Sequence, residues 1–532
     1  MAGNKKKTLN LQPPVAGVDS RLAYQAQPPY SAPAANNVRP DDTIEGRVRI
    51  GSRPGLDKSH STALGDPTAD EVRMLSDVSF VVSNTLKTRL CGSAAGDFYY
   101  ENDSGVMTLL ASGNQISSTQ MVLAEDRLQK LYIADWDPVA ATSAAARAPK
   151  IFDPVAGTLT LWSAAITAGT LPTGCPIIAL YRDRLFLAGA YADPHQWFAS
   201  RQGDPNDWDY AETDSGAAIS GSNTEAGRIG EPVTALAPHS SNCMLMWGHT
   251  STWLMQGDPG SGGRIINLSR TIGCVDKRAW CHAPANADGS GPQLAVFLTH
   301  DGVYVVPAGC EGEMAPQKLS RLKLPEELLA IDRTTKTITM AYDTRDQGIH
   351  LYVTDNAGGA ADHWWIDWTN KSFWPVTLGS TNHDPFAIHA RRNSTSTDSL
   401  VIMGCRDGYL RRYERGKETD DGTAFTSFID YGPLPVNFEG TQDGILTELT
   451  AVLAAGSGDV NWAVRSGNNP ESAFDATAWS DGKWTHEGLN PTVYPRVGGS
   501  DFLIRLSNGQ SGTKWALEKL VVDIEARGRN RY

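Results

Sequence analysis

The sequence predicts an all-β protein: a β-propeller of six to eight blades, with an extended N-terminal arm and a C-terminal β-sandwich-like domain. Composition is the first reason, because 51 Gly, 30 Pro and 15 Trp among 532 residues are typical of a turn-rich β chain. Repetition is the second reason. Between residues 175 and 304, an apolar strand, a turn and a strand rich in Trp or Tyr recur about every 45 to 60 residues, as propeller blades do.

Residues 1–60 form the predicted arm. Prolines interrupt a segment of small and polar residues, so its backbone is expected to be extended and unable to build a core. Two alternatives remain: a disordered tail, or an arm that becomes ordered along its own propeller or a neighbouring subunit. The residues Arg53-Pro54-Gly55 indicate a turn that ends the arm. A short helix is predicted at 70–75, with Asp66 or Thr68 as its cap.

Residues 61–415 are predicted to form the propeller. Their apolar runs are about four to seven residues long and are bounded by Gly, Pro, Asp or Asn, as short strands are. The clearest hairpin joins 364–368 to 372–375 through Asn370-Lys371. The number of blades is left at six to eight.

A charged, Gly-containing linker is predicted at 416–424, followed by the C-terminal antiparallel β domain at 425–532. Several strands in this domain alternate apolar with polar residues, which favours a small sandwich packed on one face. The last arginines, Arg527, Arg529 and Arg531, are interpreted as a solvated tail.

The net charge of −13, from 60 acidic and 47 basic residues, is opposite in sign to that of a protein that clamps nucleic acid by its phosphates. An acidic surplus suits an ordinary solvated surface. It also suits a wall past which a polyanion slides without binding.

Seven cysteines are scattered without short paired spacings, which predicts reduced thiols in a protein that folds in a cytoplasm. No secretory signal is recognised near the start, and no apolar run approaches the ~20 residues of a membrane span. The cysteines are Cys91, Cys175, Cys243, Cys274, Cys281, Cys310 and Cys405.

Two Gly-Asp-Pro sequences, at 203–205 and 257–259, raise the possibility of a catalytic pair of carboxylates. Such a pair performs glycoside chemistry only where the fold brings the groups about 5 to 10 Å apart. Asp-Pro after Gly is far more often a turn, and the turn interpretation is favoured.

Three other sequences suggest chemistry and fall short of it. The run 480–484 resembles the Asp-box turn of sialidases but lacks its spacer residues, so an ordinary hairpin turn is favoured. The run 286–291 lacks the closing glutamate of a calcium loop. Cys274, Cys281 and His282 lack zinc-site spacing, and burial in the core is favoured. We therefore predict no catalytic, cofactor-binding or metal-binding residue, no cofactor and no enzymatic activity.

The central repeats carry a set of short sequences in a fixed order. They are 181–189 (YRDRLFLAG), Trp197, Ser200, 203–208 (GDPNDW), 235–239 (ALAPH), Trp253, 257–259 (GDP), 272–275 (IGCV) and 297–304 (FLTHDGVY). As a set they resemble the blade sequences of the packaged-DNA stabilisation and tail tubular protein B-like proteins, which form the tail nozzle of short-tailed phages. The resemblance covers about 175–310 well and 40–60, with Arg53-Pro54-Gly55, more loosely.

The resemblance implies a structural virion protein that is assembled in the host cytoplasm. It would form a homohexameric ring below a dodecameric head-to-tail adaptor, carry fibres or spikes, and gate a channel for genome ejection while retaining packaged DNA. Double-stranded DNA would pass without sequence-specific binding. The alternative, from a different class, is a carbohydrate-binding or polysaccharide-degrading propeller of a phage tail, with the sandwich as a sugar-binding module.

Overall fold

The structure is a computed structural model. It describes residues 6–67, 70–113, 115–136, 148–310, 315–321, 323–324, 331–391, 400–437 and 442–529. The N-terminal segment contributes five short strands: β1 (Lys6–Leu11), β2 (Ala35–Asn36), β3 (Val38–Asp41), β4 (Val48–Ser52) and β5 (Gly55–Lys58). Strands β3 and β4 form a hairpin, while the other three join sheets built from distant parts of the chain.

Seven four-stranded antiparallel sheets form a β-propeller, and strand order follows chain order in six of them; in the seventh, the early strand β5 is outermost. Blade 1 comprises β6 (Val72–Val82), β7 (Thr85–Ala94), β8 (Asp97–Glu101) and β9 (Met107–Ala111). Blade 2 comprises β10 (Leu123–Arg127), β11 (Lys130–Ala134), β12 (Lys150–Asp153) and β13 (Thr158–Leu161). Blade 3 comprises β14 (Ile177–Tyr181), β15 (Arg184–Ala190), β16 (Asp193–Ala199) and β17 (Ile219–Ser220).

Blades 4 to 7 repeat this arrangement. Blade 4 comprises β18 (Ala235–Ser240), β19 (Cys243–Trp247), β20 (Thr252–Gln256) and β21 (Arg264–Ser269). Blade 5 comprises β22 (Trp280–Pro284), β23 (Gln293–Thr299), β24 (Gly302–Val306) and β25 (Gln317–Lys318). Blade 6 comprises β26 (Lys336–Asp343), β27 (Gly348–Asp355), β28 (His363–Asp367) and β29 (Ser372–Val376). Blade 7 combines β5 with β30 (Pro385–Ala390), β31 (Val401–Cys405) and β32 (Leu410–Glu414).

The predicted all-β propeller is therefore confirmed, with seven blades. The hairpin expected at Asn370-Lys371 joins β28 to β29, and Lys371 adopts a left-handed backbone with φ of 51°. The first strands of neighbouring blades contact one another, so they surround the propeller axis. Short 3-10 turns cover Tyr24–Ala26, Pro259–Ser261 and Thr381–His383.

Strand β5 closes the ring. It pairs antiparallel with β32, from Gly55 opposite Glu414 to Lys58 opposite Arg411. The sequence had placed residues 55–58 in the extended arm, so this assignment is corrected. The physical reason is that β30, β31 and β32 leave an unpaired edge, which β5 covers with main-chain hydrogen bonds.

The helix predicted at 70–75 is wrong. Residues from Val72 onward belong to β6, and Thr68 lies outside the described residues. Val72 and Leu75 are buried between blades 1 and 7, where they pack with Ala387 and Leu410. Burial in the sheet outweighs the local capping signal.

The C-terminal region forms two packed antiparallel sheets. Their elements are β33 (Ser427–Pro435), β34 (Gln442–Leu453), β35 (Val460–Gly467), α1 (Pro470–Asp475), β36 (Ser480–Trp484), β37 (Gly488–Leu489), β38 (Val497–Gly499), β39 (Asp501–Asn508) and β40 (Leu517–Arg529). One sheet has the order β1-β40-β34-β37, with β38 also on β34, and the other has the order β2-β33-β39-β35-β36. The N-terminal segment thus supplies one strand to each sheet.

Of the two alternatives for the arm, the structure supports the ordered one, because β1 pairs with β40 and β2 with β33 of the same chain. Two further expectations are corrected. The run 480–484 is the edge strand β36 and not a hairpin turn. Arg527 and Arg529 belong to strand β40, while Arg531 lies outside the described residues.

One apolar core joins the sandwich to blades 6 and 7. Tyr352, Trp365 and Trp374 of blade 6 pack in the same buried cluster as Trp462 and Trp515 of the sandwich. In the described part of the chain, no helix is long and apolar enough to cross a bilayer.

Candidate functional site

The Gly-Asp-Pro turns are structural. Asp258 caps a 3-10 turn by accepting a hydrogen bond of 2.8 Å from the Gly260 amide, and it pairs with the buried Arg184 at 3.3 Å. The Asp204 carboxylate accepts a hydrogen bond of 2.8 Å from the Asn206 amide. Each carboxylate thus holds its own turn, as the sequence predicted, and each belongs to a separate network.

Arg184 connects the residues on which the family resemblance depends. Its guanidinium donates to the carbonyl oxygens of Ser200 at 2.9 Å and Ala217 at 2.6 Å, and it pairs with Asp258 of blade 4. Burial lowers the pKa of Arg184, against the opposing effect of Asp258. The recognised motif is therefore an anchor between blades 3 and 4, and not a reactive group.

Cys274 and Cys281 are buried, as predicted. Burial raises the pKa of both thiols. Within the described residues, no group of three or more His, Cys, Asp or Glu side chains is arranged to hold a metal ion.

The expectation of seven reduced thiols is wrong for two of them. Cys243 of β19 and Cys310, which follows β24, form a disulfide with their Cα atoms 5.7 Å apart. They are 67 residues apart in sequence and become neighbours only because blades 4 and 5 stand side by side. Spacing along the chain carries no sign of this contact. The other five cysteines are free and buried.

The mouth of the propeller axis is crossed by a side chain. Lys277 lies just before β22, the innermost strand of blade 5, and Met121 lies just before β10, the innermost strand of blade 2. The Lys277 Nζ donates a hydrogen bond to the Met121 carbonyl oxygen. Blades 2 and 5 lie on opposite sides of a seven-bladed ring. Next to Lys277, Arg278 interacts electrostatically with Glu125 of β10. Burial lowers the pKa of both Lys277 and Arg278, although each keeps some exposed surface.

The hydrogen bond from Lys277 to Met121 therefore joins two sides of the blade ring near its axis. Sequence reasoning missed this contact because Lys277 and Met121 are 156 residues apart and belong to no motif. The only available signal was the run of charges at 276–278, between the matched residues 272–275 and strand β22.

A second feature is a cleft where the β3–β4 hairpin meets blade 6. It opens to solvent, and Arg39, Asp41, Asp346, Trp365 and Asp367 are among its lining residues. The Arg39 guanidinium lies 3.9 Å from the centre of the Trp365 ring, and it donates to Asp346 at 2.8 Å. Burial and the charge of Asp367 raise the pKa of Asp41, and burial raises the pKa of Asp367. These carboxyl groups therefore take up protons at a higher pH than ordinary aspartates.

The predicted linker at 416–424 contains a buried ion pair with the N-terminal segment. Asp420 pairs with Arg53 through two hydrogen bonds of 2.8 and 2.6 Å, and neither side chain is exposed. The other Arg53 donors reach the Asn37 side chain and the carbonyl oxygens of Pro54 and Thr377. All five N–H groups of Arg53 are thus satisfied, which is the condition for burying a guanidinium.

The comparisons with known proteins identify no family for this chain. No family model matches it, and no curated protein matches its sequence. Among solved structures, an extracellular domain assigned to a hybrid two-component system of Bacteroides thetaiotaomicron is 11% identical, with a TM-score of 0.41. That alignment covers 83% of this chain and 47% of the other, so this chain spans about half the length of that domain.

Two further structures align at similar levels. Regucalcin, a calcium-binding protein of Agrobacterium tumefaciens, is 12% identical with a TM-score of 0.30, over 68% of this chain and 93% of that one. PorZ, a surface component of the type IX secretion system of Porphyromonas gingivalis, is 10% identical with a TM-score of 0.26, over 90% and 59%. Scores at this level carry no functional argument, and the fold assignment depends on the sheet topology described above.

Proposed function

We propose that this chain is the subunit of a tail nozzle of a short-tailed phage. It is a structural virion protein without enzymatic activity that assembles as a homohexameric ring. The ring docks below a dodecameric head-to-tail adaptor, carries fibres or spikes, and gates the channel through which the genome leaves. Until ejection it retains the packaged DNA.

The observation that carries the proposal is the way in which the two domains are joined into one block. Blades 6 and 7 share an apolar core with the sandwich, and the N-terminal segment supplies strands to both domains. The fully hydrogen-bonded pair of Arg53 and Asp420 lies at the same junction. Domains that share a large apolar interface move little relative to each other. A rigid subunit is what a conduit of fixed bore requires.

The contact across the propeller axis supports a path for DNA between subunits. Because Lys277 spans the mouth of the propeller axis, a double helix would have to pass through the centre of a ring of several copies. The net charge of −13 supports a wall that repels the DNA backbone. The resemblance of the central blades to nozzle proteins supports the same assignment, through residues such as Arg184 that hold the scaffold together.

The decisive experiment is to measure the assembly state. Size-exclusion chromatography with light scattering and electron-microscopy averages of the purified chain are expected to reveal a ring of about six copies, either alone or with a purified head-to-tail adaptor. A chain that remains monomeric under both conditions would overturn the proposal. A monomer that degrades capsular polysaccharide would favour the carbohydrate-active alternative.

A further inference from the structure

Large apolar side chains are exposed unevenly on this molecule. Fourteen are exposed among the described residues, and seven of them lie in blades 1 and 2, whereas none lies between residues 192 and 478. Exposed apolar groups scattered singly need no explanation, but a concentration of them marks a binding surface. The seven are Val81, Leu86, Val106, Leu109, Leu128, Val155 and Leu161.

Five of these side chains belong to turns on one face of the propeller, which we call the turn face: Val81, Leu86, Val106, Leu128 and Val155. In an antiparallel blade the turn between the first two strands and the turn between the last two lie at the same end. All five residues lie in or beside these turns. Strands β6 and β7 are the longest pair in the propeller, and the turn that joins them lies at this end.

Hydrogen bonds and strand pairing hold the turn face together as one surface. Val81 and Leu86 are directly paired across the β6–β7 hairpin. The Val81 amide donates to the Gln129 side chain at 2.8 Å, which brings the adjacent Leu128 beside the hairpin. Arg89 donates to the Pro154 carbonyl oxygen and to the Asp103 carboxylate, at 2.8 Å each. The turns that carry Val155 and Val106 are therefore fixed to the same hairpin.

A second, unlike apolar surface lies on the open edge of the sandwich. We define the sandwich edge as Trp479, Leu489 and Tyr494, which are 70%, 71% and 61% exposed. Trp479 precedes β36, the outermost strand of one sheet, while Leu489 lies in β37, at the edge of the other sheet. The Trp479 indole donates to the Ser466 carbonyl oxygen at 3.3 Å, and Ser466 in turn donates to the carbonyl oxygen of Gly498. These contacts tie Trp479 to Gly498 of β38, and both β38 and the Leu489 strand β37 pair with the same strand, β34.

We propose that the turn face of one copy binds the sandwich edge of a second copy, and that this contact closes the ring. The inference depends on the proposed function, and it identifies the surfaces through which the subunits of the ring bind one another. A cyclic ring needs two different faces on each subunit, whereas a two-fold dimer needs only one face that pairs with itself. This chain presents two unlike apolar surfaces on different domains.

The area of the turn face is consistent with this role. Its side chains expose on the order of 500 Å² of apolar surface, which is at the upper end for a monomer. A stable interface buries roughly 800 Å² on each partner, of which the centre is apolar and the rim polar. Paired charges such as Lys87 with Asp103 and Lys130 with Asp153 surround the turn face and would form that rim.

Two double variants test the pairing of the faces. The first double variant, Leu86→Asp with Val155→Asp, places two carboxylates on the turn face. The second, Leu489→Asp with Tyr494→Asp, places two carboxylates on the sandwich edge. All four side chains are exposed, so the fold is expected to survive. Each variant alone should be monomeric where the wild type forms a ring. Mixed together they should form a one-to-one dimer, since each variant keeps the face that the other lacks. Ile166→Asp, at a side chain 94% exposed outside both faces, should still form the ring.

Cross-linking of the wild-type ring gives a second measurement that needs no variant. In rings made from mixed light and heavy isotope-labelled chains, an amine-reactive reagent should join Lys87 or Lys130 of one copy to Lys483 of another. If both double variants still form rings, the assignment of the two faces is wrong, although the proposed nozzle function would still stand. The two surfaces would then be candidates for binding fibres or an adaptor. A mixture that remains monomeric would also overturn the face assignment. A wild type that never assembles, alone or with the adaptor, would overturn the proposed function as well.

Discussion

Blades 6 and 7 and blades 1 and 2 are built from the same four-stranded unit, but their outer surfaces differ. Blades 6 and 7 are covered by the sandwich and by the N-terminal segment, and Trp365, Trp374 and Tyr413 are buried there. In the described part of the chain, the core shared with the sandwich includes no residue of blades 1 and 2, and these blades expose seven large apolar side chains. The blade repeat alone therefore does not determine whether large apolar side chains on a blade are buried or exposed. The elements that pack over the blade determine it.

The largest loss of stability is expected on the covered side, at the buried ion pair. Asp420→Ala leaves the Arg53 guanidinium buried without its counter-ion, and we expect the free energy of unfolding to fall by about 3 to 5 kcal/mol. Equilibrium unfolding in urea measures the change.

Asp193→Ala is the matched control for this variant. Asp193 forms an ion pair with Arg228 in which both side chains are about two-fifths exposed, so its removal should cost less than about 1 kcal/mol. An Asp420→Ala protein as stable as the control would show that the junction does not depend on the buried pair.

A second prediction concerns the seam between the two regions, where blade 7 meets blade 1. Burial alone would raise the pKa of Glu101, but hydrogen bonds from His60 and Arg391 outweigh it and lower the pKa from 4.5 to about 2. The carboxylate therefore stabilises the fold above pH 4.5, and this contribution is lost as the pH falls towards 2. With a shift of this size it amounts to about 3 kcal/mol at neutral pH.

Glu101→Gln tests this contribution through its pH dependence. The variant should be less stable than the wild type by up to about 3 kcal/mol at pH 7, and the gap should shrink to about 1 kcal/mol near pH 3. Urea unfolding at several pH values measures the gap. Glu212→Gln, at an exposed ion pair with Arg201, should produce a small gap that changes little with pH. A gap for Glu101→Gln that is equally large at both pH values would contradict the assignment.

The smallest effect is expected on the uncovered side. Leu86→Ala should change the stability of the monomer by less than about 0.5 kcal/mol, because that side chain is 68% exposed. Leu410→Ala in blade 7 makes the same chemical change at a fully buried site and should cost about 2 to 5 kcal/mol. Thermal unfolding of the two variants at a concentration where both are monomeric compares them. Equal losses would mean that the hairpin of blade 1 is packed more tightly than its exposure implies.

Much of the fold could be predicted from the sequence because the relevant signals are local. Alternating apolar residues and turn residues such as Asn370-Lys371 identify strands and hairpins within short windows. The partners of the N-terminal strands could not be predicted. Gly55 pairs with Glu414 and Lys6 with Glu525, and no local pattern specifies a partner hundreds of residues away. The helix wrongly predicted at 70–75 has the same cause. Its capping signal is local, whereas Val72 is buried by residues that lie far away in the sequence.

The candidate sites were less predictable than the fold. The sequence correctly assigned Asp204 and Asp258 to turns, because Asp-Pro after Gly has a strong local preference. It gave no indication of the Lys277 contact across the axis, since that contact depends on where blades 2 and 5 stand in the closed ring. The disulfide between Cys243 and Cys310 escaped prediction for the same reason.

The closure of blade 7 by β5 has a consequence for synthesis of the chain. Strand β5 emerges from the ribosome early, but its partner β32 follows more than 350 residues later, at Leu410–Glu414. Strand β1 waits even longer, until β40 has been made. Both N-terminal strands therefore remain without partners during most of translation. A chain interrupted before β32 would keep an open propeller with unpaired edges, a form that chaperones and proteases can distinguish from the finished subunit.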